Sequence, residues 1–253
     1  MPPKPHIPPD GPRRQLYDVT GAASFLLCVL CARWGGAIDL RASPRAVASA
    51  WMLGLWAARL GAFLFARVLR SPDERLRRYL QDPVLFLIPF AFQTMWVFLS
   101  ALPVVCVHSW GAPLPLSFAE QALALAWAAC AALQALADEQ KRAFRAVKAN
   151  QSKFITTGLW RFSRHPNYFF QICASWLLSA FCFRSLASAH WFGYVVALCP
   201  ALETYLILYV SGMPLLETAA KRKWGDDFMW KGYKAQTSPL VPWWPAAGQK
   251  RRA

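Results

Sequence analysis

Long apolar runs separated by polar and mostly basic connections dominate the chain. A membrane-crossing helix needs about 20 predominantly apolar residues, and the pattern predicts six such spans. Their approximate ranges are 17–38, 46–69, 84–107, 116–137, 166–183 and 191–212. Residues 83–119 carry no Asp, Glu, Lys or Arg, which is too long a stretch for one helix, and Gly111, Pro113 and Pro115 divide it. The predicted fold is an all-α, polytopic transmembrane helical bundle with about six or seven spans.

The domain organisation follows from the same pattern. Residues 1–14 are a Pro-rich polar tail without an apolar run. Residues 15–253 are predicted to form a single membrane domain that ends in a cytoplasmic helical segment. The composition agrees with this class, because 56% of the residues are hydrophobic and only 16% are charged.

The net charge of +15 is unevenly distributed. Basic residues crowd the second and fourth connections and the carboxyl tail, whereas the third connection has none and the fifth has only Arg184. This alternation predicts that both termini are cytoplasmic, although Arg41 and Arg45 in the first connection fit less well. The basic charge therefore indicates topology and a lipid bilayer as partner, and a nucleic-acid partner is not expected.

The seven cysteines lie in or beside apolar runs. Cys28 and Cys31 form a C-x-x-C, but no second pair or nearby His completes a metal-binding set. The cysteines are therefore interpreted as small apolar packing residues, and no metal is expected.

Polar side chains inside predicted spans are costly and often functional. Arg59 in span two and Glu203 in span six are the two charged examples, and Gln93 in span three offers a further polar group. These three residues are candidates for a position near a substrate. The alternative is that they only hold helices together.

The fourth connection carries two candidate phosphate ligands. Lys141 and Arg145 are four residues apart in the run Asp138-Glu-Gln-Lys-Arg-Ala-Phe-Arg145, which is predicted to extend span four outward as a helix. That spacing places both cations on one face, where they can hold a phosphate group. The alternative, which spacing alone favours, is a solvated basic stripe beside anionic lipid headgroups.

A second group of polar residues surrounds the start of span five. Pro166 suits the first turn of a helix, so the neighbouring Arg164 and His165 lie where free N–H groups attract anions. Together with Asn167 and Tyr168 they are typical of a pocket for an anionic cofactor. A structural helix cap is an equally good interpretation.

Glu217 lies in the polar helix that follows span six. Its carboxylate is placed to meet a cofactor hydroxyl. The alternative is a pair with Lys221, four residues further along the same helix.

Taken together, these segments resemble the DUF1295 family, which is related to the steroid 5-alpha-reductase carboxyl-terminal domain and to the sterol C14 and C7 reductases. The resemblance is carried by Gln140-Lys141-x-x-Phe144-Arg145, Gly158-Leu-Trp-x-x-Ser-Arg-His-Pro-Asn-Tyr168, Ser211-Gly-x-Pro-Leu-Leu-Glu217 and Trp224-Gly-Asp-Asp with Tyr233. It is strong over 138–245, which would be the cofactor-binding part. Upstream it is looser, in Tyr17-Asp-x-Thr, Arg59-Leu-Gly and the run from Phe92 to Leu99.

The resemblance implies a membrane reductase that uses NADPH on the cytoplasmic side to reduce a carbon–carbon double bond in a steroid, sterol or fatty enone. Lys141 and Arg145 would hold the adenosine phosphates. The residues that would line and close the cofactor pocket are Trp160, Arg164, His165, Asn167, Tyr168, Glu217 and Tyr233. The resemblance assigns no catalytic residue, and it implies the endoplasmic reticulum membrane if the source is eukaryotic.

Two departures from the family pattern bear on function. It has Gln171 where the family usually has Glu, and Trp56 where steroid reductases tend to have Tyr. The first departure puts a cofactor or substrate contact in doubt, and the second gives no support to steroid-enone specificity.

Two other functions remain open. Isoprenylcysteine and phospholipid methyltransferases share the Gly-x-x-Arg-x-x-Arg-His-Pro-x-Tyr pattern but use S-adenosylmethionine, which has no phosphate to explain Lys141 and Arg145. A non-catalytic lipid-binding membrane protein would also retain these residues.

Overall fold

The computed structural model describes residues 20, 21, 23–25, 27, 28, 30, 31, 43–70, 83–110, 115–186 and 191–245. Over this part of the chain, all regular elements are helices, and the all-α prediction is confirmed. Among the described residues, four helical segments are long and apolar enough to cross a bilayer, which is compatible with an integral membrane protein. They are Pro44–Ala66, Leu87–Trp110, Phe118–Ala146 and Gly193–Trp224.

Seven helices are numbered here in chain order. They are α1 (Pro44–Arg70), α2 (Pro83–Trp110), α3 (Phe118–Ala146), α4 (Pro166–Ser185), α5 (Trp191–Tyr205), α6 (Met213–Trp224) and α7 (Phe228–Gln236). A π-helical turn, Leu206–Val210, continues α5, and short 3-10 turns occupy Lys148–Asn150 and Gly158–Arg161.

The predicted count of six or seven spans stays a prediction. Much of the first predicted span lies outside the described residues, although those described between 20 and 31 are helical. The fifth predicted span corresponds to α4, which is not among the four apolar segments. Asn167, Gln171 and Ser175 lower the hydropathy of this helix.

The chain divides into two compact units. The first contains α1, α2 and the described helical residues before them, and it is held by three aromatic rings. Phe25, Trp56 and Trp96 meet edge to face, with ring centroids 5.1 to 5.7 Å apart. Such pairs add about 0.5–1.5 kcal/mol each beyond the area that they bury.

The second unit contains α3 to α7 apart from Ser185–Phe192. Its first helix, α3, begins at a capping box in which Glu120 N donates to Ser117 Oγ (3.3 Å) and Ser117 N donates to Glu120 Oε2 (2.8 Å). This reciprocal pair satisfies two of the amide groups that a helix start leaves without partners. The helix then runs without a break from its apolar part into the charged run 138–145, as the sequence predicts.

Candidate functional site

The candidate site lies beside the position on α3 where the helix changes from apolar to charged residues. From Phe118 through Ala137 the helix is about 20 residues long, which at 1.5 Å per residue matches the roughly 30 Å hydrocarbon core of a bilayer. The charged run begins at the next residue, Asp138, whose side chain is buried within the protein. The Asp138 carboxylate accepts a hydrogen bond from Asn167 Nδ2 in the first turn of α4 (3.1 Å). The start of α4 is therefore tied to the residue at which the charged part of α3 begins.

The 3-10 turn Gly158–Arg161 lies against the same part of α3. The indole Nε1 of Trp160 donates to the Ala137 carbonyl (3.0 Å), and Leu159 N donates to Gln140 Oε1 (2.9 Å). Gly158 has a φ of 61°, in the left-handed region that glycine adopts without steric cost. The side-chain amide of Gln140 occupies the space where a Cβ of residue 158 would lie.

We predict that Gly158→Ala lowers the free energy of unfolding by about 1–2 kcal/mol, because a Cβ is strained in this backbone region. The Cβ would also stand 2.5 Å from Gln140 Oε1, so the amide would have to leave Leu159 N. Thermal melting in detergent measures the effect.

Gly232→Ala is the matched control for this prediction. Gly232 lies inside α7, and nothing stands within 4 Å of a Cβ built there. Alanine is preferred over glycine in a helix by roughly 0.5–1 kcal/mol, so this variant is expected to melt at the same or a higher temperature. Equal effects of the two substitutions would contradict the strain at Gly158.

A three-residue cluster connects the loop before α4 to α6. Arg164 Nη1 lies 2.8 Å from Glu217 Oε2, and His165 Nε2 lies 2.8 Å from Glu217 Oε1. The exposed fractions of the side chains are 9% for Arg164, 8% for His165 and 25% for Glu217. The structure thus joins Glu217 to two predicted site residues that precede it by more than 50 positions. Among the described side chains, Glu217 makes these bonds instead of the alternative pair with Lys221.

Some hydrogen-bonding atoms of this cluster and of the neighbouring Asn167 have no partner in the described part of the protein. The buried atoms Arg164 Nε, His165 Nδ1 and Asn167 Oδ1 have no hydrogen-bond partner there. Buried polar atoms are nearly always paired, so each such atom requires an explanation. One donor, one acceptor and one imidazole nitrogen that can serve as either are suited to a polar ligand.

Lys141 lies beside the buried Trp160. Its Nζ is 4.5 Å from the centroid of the indole ring, a cation–π arrangement that holds the ammonium group above the 3-10 turn. Arg145, one helical turn further along α3, is exposed. Of these two basic residues, Lys141 is therefore held in place by an aromatic side chain, and Arg145 lies one turn beyond it.

Tyr233 supports this arrangement from α7. Its hydroxyl donates to the Trp160 carbonyl (2.6 Å), and its ring stacks on Phe154 at 5.6 Å. Burial raises the pKa of the Tyr233 phenol above its ordinary value, against a lowering effect of Arg164 and with a further increase from Glu217. The phenol is therefore a neutral donor at any physiological pH. Tyr168, another predicted pocket residue, stacks on the His165 imidazole at 5.8 Å.

The segment after α7 folds back over the loop that carries Arg164 and His165, and we call residues 237–245 the C-terminal strap. Arg164 N donates to the Ser238 carbonyl (2.9 Å), Ser163 Oγ donates to the Leu240 carbonyl (2.7 Å), and Trp243 N donates to the Phe162 carbonyl (3.0 Å). Ser163 Oγ also accepts from His165 N (3.1 Å). The strap was not foreseen from the sequence, where only the Leu-Val-Pro-Trp-Trp run at its end is distinctive.

Glu203 belongs to a polar network between α3, α4 and α5. Its carboxylate accepts from Ser175 Oγ (2.6 Å) and from Gln171 Nε2 (3.3 Å), and Gln171 Oε1 accepts from Gln134 Nε2 (3.4 Å). Glu203 and Gln134 are each 2% exposed. Sequence reasoning singled out Glu203 and Gln171 but missed Gln134 and Ser175, whose signal is a spacing of four residues from Asp138 and from Gln171.

The two other predicted substrate-proximal residues lie in the first unit. The Arg59 guanidinium carbon is 5.7 Å from the ring centroid of Phe63, one helical turn along α1. Gln93 packs against Gly21, where a Cβ would have no room. The Gln93 contact joins α2 to the helical residues before α1, whereas the Arg59 contact lies within α1.

Comparison with known proteins identifies a family. No curated protein and no solved structure is similar enough to the chain to count as a relative. A family model described as a protein of unknown function, DUF1295, matches residues 12–237. Because that match covers most of the chain, the protein belongs to the DUF1295 family.

Proposed function

We propose that this protein is a membrane-embedded, NADPH-dependent reductase of a carbon–carbon double bond in a lipid-like molecule such as a steroid, sterol or fatty enone. The observation that carries the proposal is the Arg164–Glu217–His165 cluster beside Asn167, in which one buried atom each of Arg164, His165 and Asn167 lacks a partner in the described residues. It lies where α3 changes from apolar to charged. A cofactor can reach such a level from water and a lipid from the membrane.

The chemistry of the cluster fits a phosphate-bearing cofactor with an amide. Arg164 Nε is a donor for a phosphate or carbonyl oxygen, and Asn167 Oδ1 is an acceptor for an amide N–H. Lys141 and Arg145 add two cations on one face of α3, which suits further phosphate oxygens. NADPH, when bound, supplies the two electrons and one of the two hydrogens of the reduction.

The residues of the chain prepare the site. Glu217 accepts from both Arg164 and His165, so it fixes the direction of both side chains and offsets the guanidinium charge. Tyr233 bonds to the main-chain carbonyl of Trp160, and Ala137 accepts from its indole N–H. The Trp160 ring in turn positions Lys141. Within the apolar part of the same unit, the Glu203 network offers polar groups to the substrate.

The binding preference for NADPH over NADH tests the proposal. Purified protein in detergent is expected to melt at a higher temperature with NADPH than with NADH. In the double variant Lys141→Gln with Arg145→Gln, NADPH affinity is expected to fall at least about tenfold and the preference to disappear, because hydrogen bonds to charged groups contribute about 1.5–3 kcal/mol each.

Lys148→Gln with Lys153→Gln is the matched control, since it removes two exposed cations from the same connection. This variant is expected to keep the NADPH preference. Tight binding of S-adenosylmethionine with no effect of NADPH on melting would select the methyltransferase instead. Binding of neither cofactor would leave a non-catalytic lipid-binding protein.

A further inference from the structure

Large apolar side chains of the C-terminal strap are turned outward. Trp243 is 72% exposed, Trp244 is 73% exposed and Val241 is 51% exposed. Two adjacent, well-exposed tryptophans are unusual on a water-facing surface, because each ring carries 150–250 Å² of largely apolar area. Trp224 and Trp230 of the same unit, in contrast, pack against Phe154 with centroids 5.7 and 5.0 Å from its ring.

The hydrogen bonds of the strap fix its level relative to α3. Trp243 N bonds to Phe162 O, and the Trp244 ring meets the Phe162 ring edge to face at 5.2 Å. Phe162 directly follows the 3-10 turn that contacts Ala137 and Gln140, where the apolar part of α3 ends. The exposed rings therefore lie close to the plane in which the hydrocarbon of the bilayer gives way to headgroups.

We propose that residues 241–244 form an interfacial anchor that inserts into the headgroup layer of the bilayer. Tryptophan is enriched at this layer because its ring is apolar while its indole N–H needs a polar partner. Pro242 within the segment has no N–H to leave unsatisfied. The exposed cation Lys234 shortly precedes the strap, and the exposed cation Arg161 directly precedes Phe162, whose carbonyl bonds to Trp243 N. Their charge complements anionic headgroup phosphates.

The anchor has a consequence for the candidate site. The strap holds the loop that carries Arg164 and His165 through the Ser238 and Leu240 carbonyls. Contact of the two tryptophans with lipid therefore restrains this loop at the membrane surface. The inference does not depend on which cofactor the site binds.

Fluorine NMR of 5-fluorotryptophan-labelled protein tests the anchor. The full chain is placed in nanodiscs of phosphatidylcholine and phosphatidylglycerol, and the Trp243 and Trp244 resonances are assigned from the single variants Trp243→Phe and Trp244→Phe. Lipid carrying a nitroxide near the headgroup is expected to remove most of the intensity of both resonances. A water-soluble gadolinium chelate is expected to leave most of it.

Trp127, 8% exposed within α3 and assigned from Trp127→Phe, is the internal control. Its resonance is expected to respond little to the gadolinium chelate. Strong broadening of Trp243 and Trp244 by the chelate, with little effect of the nitroxide lipid, would place the strap in water and overturn the proposal. Because these readouts require no cofactor, they stay distinct from the NADPH test.

Discussion

Replacing Trp160 with alanine is expected to lower the free energy of unfolding by about 3–5 kcal/mol, as truncation of a buried Trp typically does. The side chain is 3% exposed and donates to Ala137 O, and Lys141 Nζ lies over its ring. The variant therefore loses a packed ring, a hydrogen bond and the support of a cation together. Circular dichroism melting in detergent measures the loss.

Two further variants separate these contributions. Trp160→Phe keeps most of the ring volume but removes the indole N–H, so a loss of about 1 kcal/mol is expected. Trp244→Ala removes a ring that is 73% exposed and is expected to change melting in detergent far less. A melting temperature of Trp160→Ala within error of the unmodified protein would show that the turn does not depend on this indole.

Glu217→Ala is expected to destabilise the protein by about 2 kcal/mol and to weaken NADPH binding. The substitution leaves the guanidinium of Arg164 and the imidazole of His165 without their shared acceptor, and a buried donor deprived of its partner costs about 1–3 kcal/mol. The 25% exposure of the Glu217 side chain keeps the effect below that of a fully buried ion pair. Melting with and without NADPH measures both losses.

Glu139→Ala is the matched control on α3. Glu139 pairs with Arg142 one turn along the same helix, but both side chains are well exposed, at 53% and 39%. Exposed pairs contribute little to stability, so neither melting nor NADPH binding is expected to change. If Glu139→Ala and Glu217→Ala behaved alike, the Glu217 bonds would not be what orders the site.

The sequence predicted those features that depend on local chemistry. The apolar runs place α1, α2 and α5, and Pro166 marks the first residue of α4. The charged run after Asp138 extends α3 as expected, because its Glu, Gln, Lys, Arg and Ala residues all favour helix. Such features need only neighbours within a turn or two of the chain.

Features that depend on distant partners were less accessible. The motifs identified Arg164, His165 and Glu217 as belonging to one site, but the spacing along the chain offered Lys221 as an equally good partner for Glu217. An isolated parallel β-bridge between Ser163 and Ser238 joins two segments that are far apart in the chain. No periodic pattern in the sequence predicts it. The π-helical turn at Leu206–Val210 is also unmarked, because its apolar residues suit an α-helix equally well.

The level at which α3 changes from apolar to charged has a further consequence. Its last eight residues or so project about 12 Å beyond Asp138. Lys141 and Arg145 lie in this charged part, while Gln134 lies in the apolar part of the same helix. A polar molecule and an apolar molecule can therefore each contact a part of the same continuous helix that matches its polarity.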